Sequence, residues 1–390
     1  MNSSARYQQL GVSATKEDVH AAIRKLDKGL YPNAFCKIYP DYLTGSADHC
    51  LISHADGAGS KSVLAYLYWK ETGDASIWKD IAQDAIVMNL DDMICAGATG
   101  PFLFSSTIGR NKLLINADVL SALINGHAEV FAELAAAGTA IHFMGGETAD
   151  LGDLVKTIVV DGTMTCRMQR SEVIALDKIT AGDVIVGLAS FGQTTYESKY
   201  NSGIGSNGLT AARHDTLHHD YAQFAEAFDV NLSDDLVFRG SCKLSDIEAE
   251  SGLTVGQLLL SPTRTYAPVI SAFLKKYAGQ IHGIIHCSGG GQTKILHFIE
   301  QLHVIKDNLF SPPPVFRLIQ RQRNTDWKEM YQVYNMGHRM ELYVPEAIAA
   351  DLIAIAATFN LQAQVVGRVE AADAKKVSIS SEFGQFEYGG

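Results

Sequence analysis

The chain has 390 residues, 47% of them hydrophobic and 19% charged, with a formal net charge of −11. That length favours two domains, each able to bury a core, and the composition excludes a disordered chain. The acidic balance argues against a dedicated nucleic-acid binder, but a nucleotide-sized ligand stays possible because local loops can hold single phosphates.

The first expected element lies in an N-terminal arm, residues 1–45. There "TKEDVHAAIRKLDKGL" places Val19, Ile23 and Leu26 on one helical face and ends at Gly29. From about residue 46 the texture becomes strand, glycine-rich turn, helix. "HCLISH" is apolar enough for a strand, and "SVLAYLYWKETG" has helical spacing. "HADGAGSK" (54–61) between them reads as a strand-to-helix turn. Glycine permits close backbone approach there, and a helix start offers free N–H groups to an anion. Residues 76–98 predict a long helix, 101–109 a strand, and 116–138 a helix stopped by Gly138. "IHFMGGETAD" reads as a strand and loop, and 155–168 as a β-branched strand.

The polar stretch 169–183 marks the boundary between a domain at 46–170 and one at 171–390. Beyond it, 184–192 reads as strand and loop, and the polar 193–208 as an ordered surface loop or a flap. A helix at 263–277, a strand "IHGIIHC", the loop "SGGGQ", a Pro-started helix at 311–320, a strand at 339–345 and a helix at 346–359 complete the pattern. Strands and helices mix without a clean βαβ rhythm, so the expected class is α+β.

The N-terminus shows no signal-type apolar stretch, and no apolar run approaches the ~20 residues a bilayer requires. A cytoplasmic location with no membrane partner is expected. Six scattered cysteines without a C-x-x-C pair read as buried free thiols.

Acids gather in the N-terminal half: Asp56 in the glycine turn, Asp84, Asp91 and Asp92 on the helix at 76–98, and Glu147 with Asp150 in "GGETAD". Asp84 and Asp91, seven apart, share a helical face among Ile, Val and Met, which suits ligands better than solvated surface. Hard carboxylate oxygens suit Mg²⁺, which commonly takes one or two of them plus substrate phosphates, so Asp56, Asp84 and Asp92 are the candidate metal ligands. Four glycine-rich loops after strands ("DGAGSK", "GGETAD", "SGIGSNG", "SGGGQ") suggest a polyanionic ligand. Lys61 would stabilise transferring phosphoryl charge. His54 and His286 flank two of these loops and could move protons near neutral pH. His54 is expected to be a bystander.

Together these motifs resemble the phosphoribosylformylglycinamidine cyclo-ligase (aminoimidazole ribonucleotide synthetase) family. "RYQQLGV" is similar to its Tyr-x-x-x-Gly-Val arm, "DGAGSK" to D-G-V-G-T-K, and "GGETAD" to G-G-E-T-A-E. "DAIVMNLDDMICAGATGPFLF" resembles its V-N-D-L-x-x-x-G-A-E-P segment, "LLLSPTRTYAPVI" its P-T-R-I-Y, "IIHCSGGG" its I-A-H-x-T-G-G-G, and "YNMGHRM" its F-N-x-G-x-G-M. The resemblance implies a two-domain α+β homodimer using ATP and Mg²⁺, with no nucleic-acid partner. It implies catalytic roles for Lys61, Asp92 and His286, and ATP contacts from Asp56, Gly57, Gly59, Ser60, Lys61, Gly145, Gly146, Glu147 and Thr148. Substrate contacts would come from Ser206, Asn207, Gly208, Thr263 and Arg264. A thiamine-phosphate kinase-like phosphotransferase, a selenophosphate synthetase-like enzyme and a non-catalytic nucleotide-binding paralogue remain alternatives.

Four departures bear on the acceptor side. "GIGSNG" (203–208) replaces G-P-H-S-N-G, leaving Gly205 where a histidine is usual, and about ten residues, "QTTYESKYNS", are inserted before it. Asp91 replaces the Asn of V-N-D, and "GHRM" puts Arg339 where a glycine is usual. Lys199, Tyr196, Tyr200 and Arg339 are the candidates to replace the histidine.

Overall fold

The computed structural model describes residues 7–13, 22 and 25–389. The arm helix expected at 15–30 falls largely outside them, Val19 and Ile23 included, and Leu26 is exposed.

Two sheets organise the chain, one on each side of residues 170–183. The first contains β1 (Ile38–Pro40), β2 (His49–Gly57), β3 (Phe102–Arg110), β4 (Ile141–Asp150) and β5 (Ile158–Gln169), in the order β1-β2-β5-β3-β4. Its pairs are antiparallel except β3–β4, which is parallel and therefore needs a long crossover. Helix α3 (Ala117–Ala136) supplies it, capped by Asn116, whose side chain accepts from Val119 N. Burial alternates along β5, with one face packed and the other open. The packed face lies under α2 (Ile77–Cys95), which is buried on nearly every side. Helix α1 (Lys61–Thr72) follows the glycine turn and ends at Gly73 in the left-handed conformation.

The second sheet has seven strands in the order β12-β11-β8-β10-β6-β9-β7. They are β6 (Val184–Ala189), β7 (Gly283–His286), β8 (Leu302–Lys306), β9 (His338–Val344), β10 (Ala363–Ala371), β11 (Lys376–Ser381) and β12 (Gly384–Gly389). Around it lie α4 (Leu209–Thr216), α5 (Val255–Leu259), α6 (Ala267–Tyr277), α7 (Pro314–Arg323), α8 (Trp327–Val333) and α9 (Glu346–Thr358). The architecture is the expected two-domain α+β fold. Helix α2 also packs against β7 and α6, so one continuous apolar core runs through both halves.

Two expectations are corrected. "GGETAD" is not a loop but part of edge strand β4. The register slips between Phe104↔Phe143 and Ser106↔Gly146, and Gly145 sits there at φ +87. A Cβ at Gly146 would collide with the Ser106 carbonyl. These glycines therefore make a β-bulge and a close strand contact. The segment 193–208 is not a surface loop throughout, because residues 201–205 are buried. The cysteines are all free, with only Cys242 short of full burial.

Candidate active site

Strand β2 ends in the glycine turn, where its side chains meet α2. His54 bonds Asn89 Oδ1 at 3.1 Å through Nδ1 and approaches Asp92 Oδ2 at 3.3 Å through Nε2. From the other domain, His286 at the end of β7 reaches Asp92 Oδ1 at 2.6 Å through Nδ1. Asp92 is thus held between two imidazoles. Burial pushes its carboxyl up, but the bonds from His286 and His54 outweigh that and hold it well below the usual range. Burial lowers His54, and Asp92 more than restores it, so the ring titrates above its ordinary value. His54, expected to be a bystander, forms half of the clamp on Asp92. His286 Nε2 is buried with no hydrogen-bond partner among the described residues.

Asp56 keeps one oxygen on the Gly57 N–H at 2.7 Å. Next to it lies a residue the sequence reading passed over, Asp161. A Cβ on Gly57 would run into the Asp161 carboxylate, so glycine is required at that point. Asp161 titrates above its ordinary value, first through burial and then through the Asp56 charge. The register places Gly57, Asp161, Thr107 and Glu147 in one row across four strands. In-register neighbours share a face at about 4.8 Å per strand, so Asp161 borders the turn and Glu147 stands on the same face two strands beyond it. The signal for Asp161 was its Asp-Gly pair inside a β-branched strand, where a glycine usually marks close approach.

The turn also faces the second domain. Thr210 on α4 donates from Oγ1 to Ser60 Oγ at 2.9 Å, bringing the starts of α1 and α4 together, with "SNG" 206–208 beside "DGAGSK". Gly59 is at φ +58 with open space around it. Neither Ser60 nor Gly208 caps its helix with a side chain. Two uncapped helix starts beside a row of carboxylates suit a phosphate chain bridged by a divalent cation.

Four candidate residues are engaged elsewhere. Lys61 was expected on phosphate, yet its ammonium is fully buried, bonded to Asp84 Oδ1 at 2.9 Å, Gly205 O at 3.1 Å and Ser261 O at 2.5 Å. Asp84 was expected on metal, yet Oδ1 takes that ammonium together with Thr263 N at 2.7 Å and Thr263 Oγ1 at 2.6 Å. An acid neutralised by a buried lysine is a poor cation ligand. Arg264 was expected on substrate, yet it forks onto Glu197 at 2.5 Å and onto the carbonyls of Ala189 and Phe191. Asp92 has a histidine on each oxygen, so binding a metal would require displacing one. Ser206 does join this cluster, with Oγ 2.7 Å from Thr263 Oγ1. His286 stays beside Asp92.

Comparison with known proteins places this geometry. The profile of the AIR synthase related protein N-terminal domain matches residues 38–168, and that of the C-terminal domain matches 180–380. The chain belongs to the AIR synthase related family. It is 31% identical over 323 residues to the phosphoribosylformylglycinamidine cyclo-ligase of Methanocaldococcus jannaschii, covering 83% of this chain and 79% of that one. It is 28% identical over 383 residues to the cyclo-ligase of Carboxydothermus hydrogenoformans, covering 95% and 98%. Among solved structures it resembles one from the HypE–HypF complex (TM-score 0.56, 14% identity, 96% and 99% covered). It also resembles the thiamine-monophosphate kinase of Stenotrophomonas maltophilia (TM-score 0.52, 16% identity, 96% and 98% covered). At those identities the likeness establishes the shared fold only. The chain spans 44% of the Thermotoga maritima PurLQS chain it also matches. No described helix is long and apolar enough to cross a membrane.

Proposed function

We propose that the chain is an ATP-dependent cyclo-ligase that converts formylglycinamidine ribonucleotide into aminoimidazole ribonucleotide, a step of purine biosynthesis. ATP phosphorylates the formyl oxygen, the amidine nitrogen attacks that carbon, and phosphate leaves as the ring closes. ADP and phosphate are the other products. The observation that carries this reading is near-full-length similarity to proteins named for that reaction, together with the paired acids Asp56 and Asp161 at the glycine turn.

The site suits such a reaction because it offers charge neutralisation and positioning rather than a protein nucleophile. Asp56 and Asp161 are two adjacent carboxylates, one with a raised pKa, and that is the environment a cation relieves. These two are the residues that would hold Mg²⁺, with substrate phosphates completing its shell, and Mg²⁺ would neutralise phosphoryl oxygens. Asp56 keeps its expected metal role; Asp84 and Asp92 do not enter the set. Gly57, Gly59 and Ser60 would border the triphosphate, with Gly145, Gly146 and Thr148 flanking Glu147. His286, whose Nε2 has no partner among the described residues, is the candidate to exchange a proton with the acceptor.

A homodimer and a cytoplasmic location belong to the same reading. The open face and edge of the first sheet expose Leu103, Phe143, Met144 and Val159, an apolar surface that a second copy would cover.

The test is turnover of purified protein with ATP, Mg²⁺ and formylglycinamidine ribonucleotide, followed by chromatography of the ring product. Asp56→Asn is expected to lower kcat by at least about 100-fold with an unchanged melting curve. No ring product from the wild type, or full activity in Asp56→Asn, would overturn the corresponding assignment.

A further inference from the structure

Three of the departures from the related motifs meet at one point in the fold. Arg339 on β9 is 2% exposed. Its Nη2 bonds Asp91 Oδ2 at 3.1 Å and also the Arg264 carbonyl. Its guanidinium carbon lies 5.6 Å from the centre of the Tyr266 ring. Nη1 and Nε have no hydrogen-bond partner among the described residues. Nη1 and Cδ face Gly205, where a Cβ would stand 3.2 Å from Nη1 and 3.5 Å from Cδ. So Arg339 fills the space that a side chain at 205 would claim, and Asp91 supplies its counter-charge.

Balancing Asp91 accounts for Nη2 and leaves Nη1 and Nε unexplained. Buried donors are nearly always paired, and a guanidinium is costly to leave half-paired away from water. The loop above runs from Gly205, whose carbonyl holds Lys61, through Ser206, which bonds Thr263, to the start of α4 beside Ser60. Asp84, on the same lysine, leaves Oδ2 without a partner among the described residues. Unpaired donor and acceptor atoms thus flank one loop.

We propose that Arg339 determines acceptor binding: its Nη1 takes the place of the side chain absent at 205 and donates to an oxygen of the nucleotide acceptor beneath loop 203–208. This rests on the cyclo-ligase reading. Unlike histidine, the arginine carries its charge across the whole working pH range.

The experiment separates donation to the acceptor from simple charge balance. The double variant Asp91→Asn/Arg339→Met removes both charges, so no buried ion is left uncompensated. It is expected to fold, to keep its KM for ATP within about twofold, and to lose about 100-fold in kcat/KM for formylglycinamidine ribonucleotide. Arg339→Lys keeps the charge but not the fork, and is expected to lose at least about tenfold on the acceptor alone. It decides the matter if the double variant does not fold. Wild-type acceptor kinetics in whichever variant folds, or equal losses for ATP and acceptor, would overturn the assignment. Absence of ring product from the wild type would overturn the cyclo-ligase reading and this assignment with it.

Discussion

Among the described residues two lysine–carboxylate pairs lie fully buried, and they are finished differently. In the second sheet Lys306 meets Glu341, Gln292 O at 2.7 Å and Gln292 Oε1 at 3.0 Å. Glu341 is then completed by His338 at 2.8 Å and Tyr343 at 2.9 Å. Burial favours protonated Glu341, but Lys306 and His338 outweigh it and bring the carboxyl down to about 2. Between the two sheets Lys61 is just as enclosed, yet its partner Asp84 leaves Oδ2 unpaired among the described residues, and two of its bonds go to loop carbonyls. A closed network inside one domain is architecture. An open one ties the domains together and leaves a carboxylate oxygen unfilled among the described residues.

The contrast also bears on Cys287, His338 and Glu341, whose ligating atoms lie within 4.8 Å of one another. The donor set resembles a metal site, but the Lys306 ammonium already supplies the positive charge.

Breaking the closed pair should have the largest effect. Lys306→Met leaves Glu341 buried without its ammonium and is expected to cost about 3–5 kcal/mol in urea unfolding. A loss below about 1 kcal/mol would show that His338 and Tyr343 suffice. Lys61→Met should cost less, about 2–3 kcal/mol, because Thr263 still donates two bonds to Asp84. Its distinguishing sign is loosening between domains, read as faster proteolysis near residues 170–183. Smaller again is Lys199→Ala. Lys199 spans to Asp80 at 2.7 Å but its side chain is 58% exposed, so the change should stay under about 1 kcal/mol and shrink further in salt.

The comparison also explains what could be read in advance. Helix α2 was legible because its apolar spacing is local, and the burial of Asp84 and Asp91 followed from their apolar neighbours. Their partners were not legible. Arg339 is 248 positions from Asp91, and Lys61 lies on a different helix from Asp84, so periodicity offers an acid on a face without saying what neutralises it. The same limit made ion-paired Asp84 look like a metal ligand. Glycine caused the other miss: Gly145 and Gly146 serve a bulge in β4, and a bulge and a phosphate loop write the same letters. Strand β5 was read correctly, but Asp161 gained meaning only when the register set it against Gly57.

The smallest effect expected, and the one that most sharpens the contrast, concerns the Asp92 clamp at the open site. His54 titrates above its ordinary value because Asp92, with help from Asn89 and Asp56, outweighs the burial that favours the neutral ring. A raised folded pKa means that protonated His54 stabilises the fold fully below its unfolded value of about 6.5, and that this contribution fades as pH rises through the folded value. Asp92 shifts the other way, so its own contribution is present above the ordinary carboxylate value and is lost only in stronger acid. Between pH 6 and 9, therefore, only the histidine side of the clamp changes. His54→Gln keeps a donor for Asp92 and removes the titrating charge. The melting temperature of the variant should fall below that of the wild type at pH 6, and the gap should narrow by pH 9. A gap that stays constant across that range would mean that protonation of His54 is not coupled to folding.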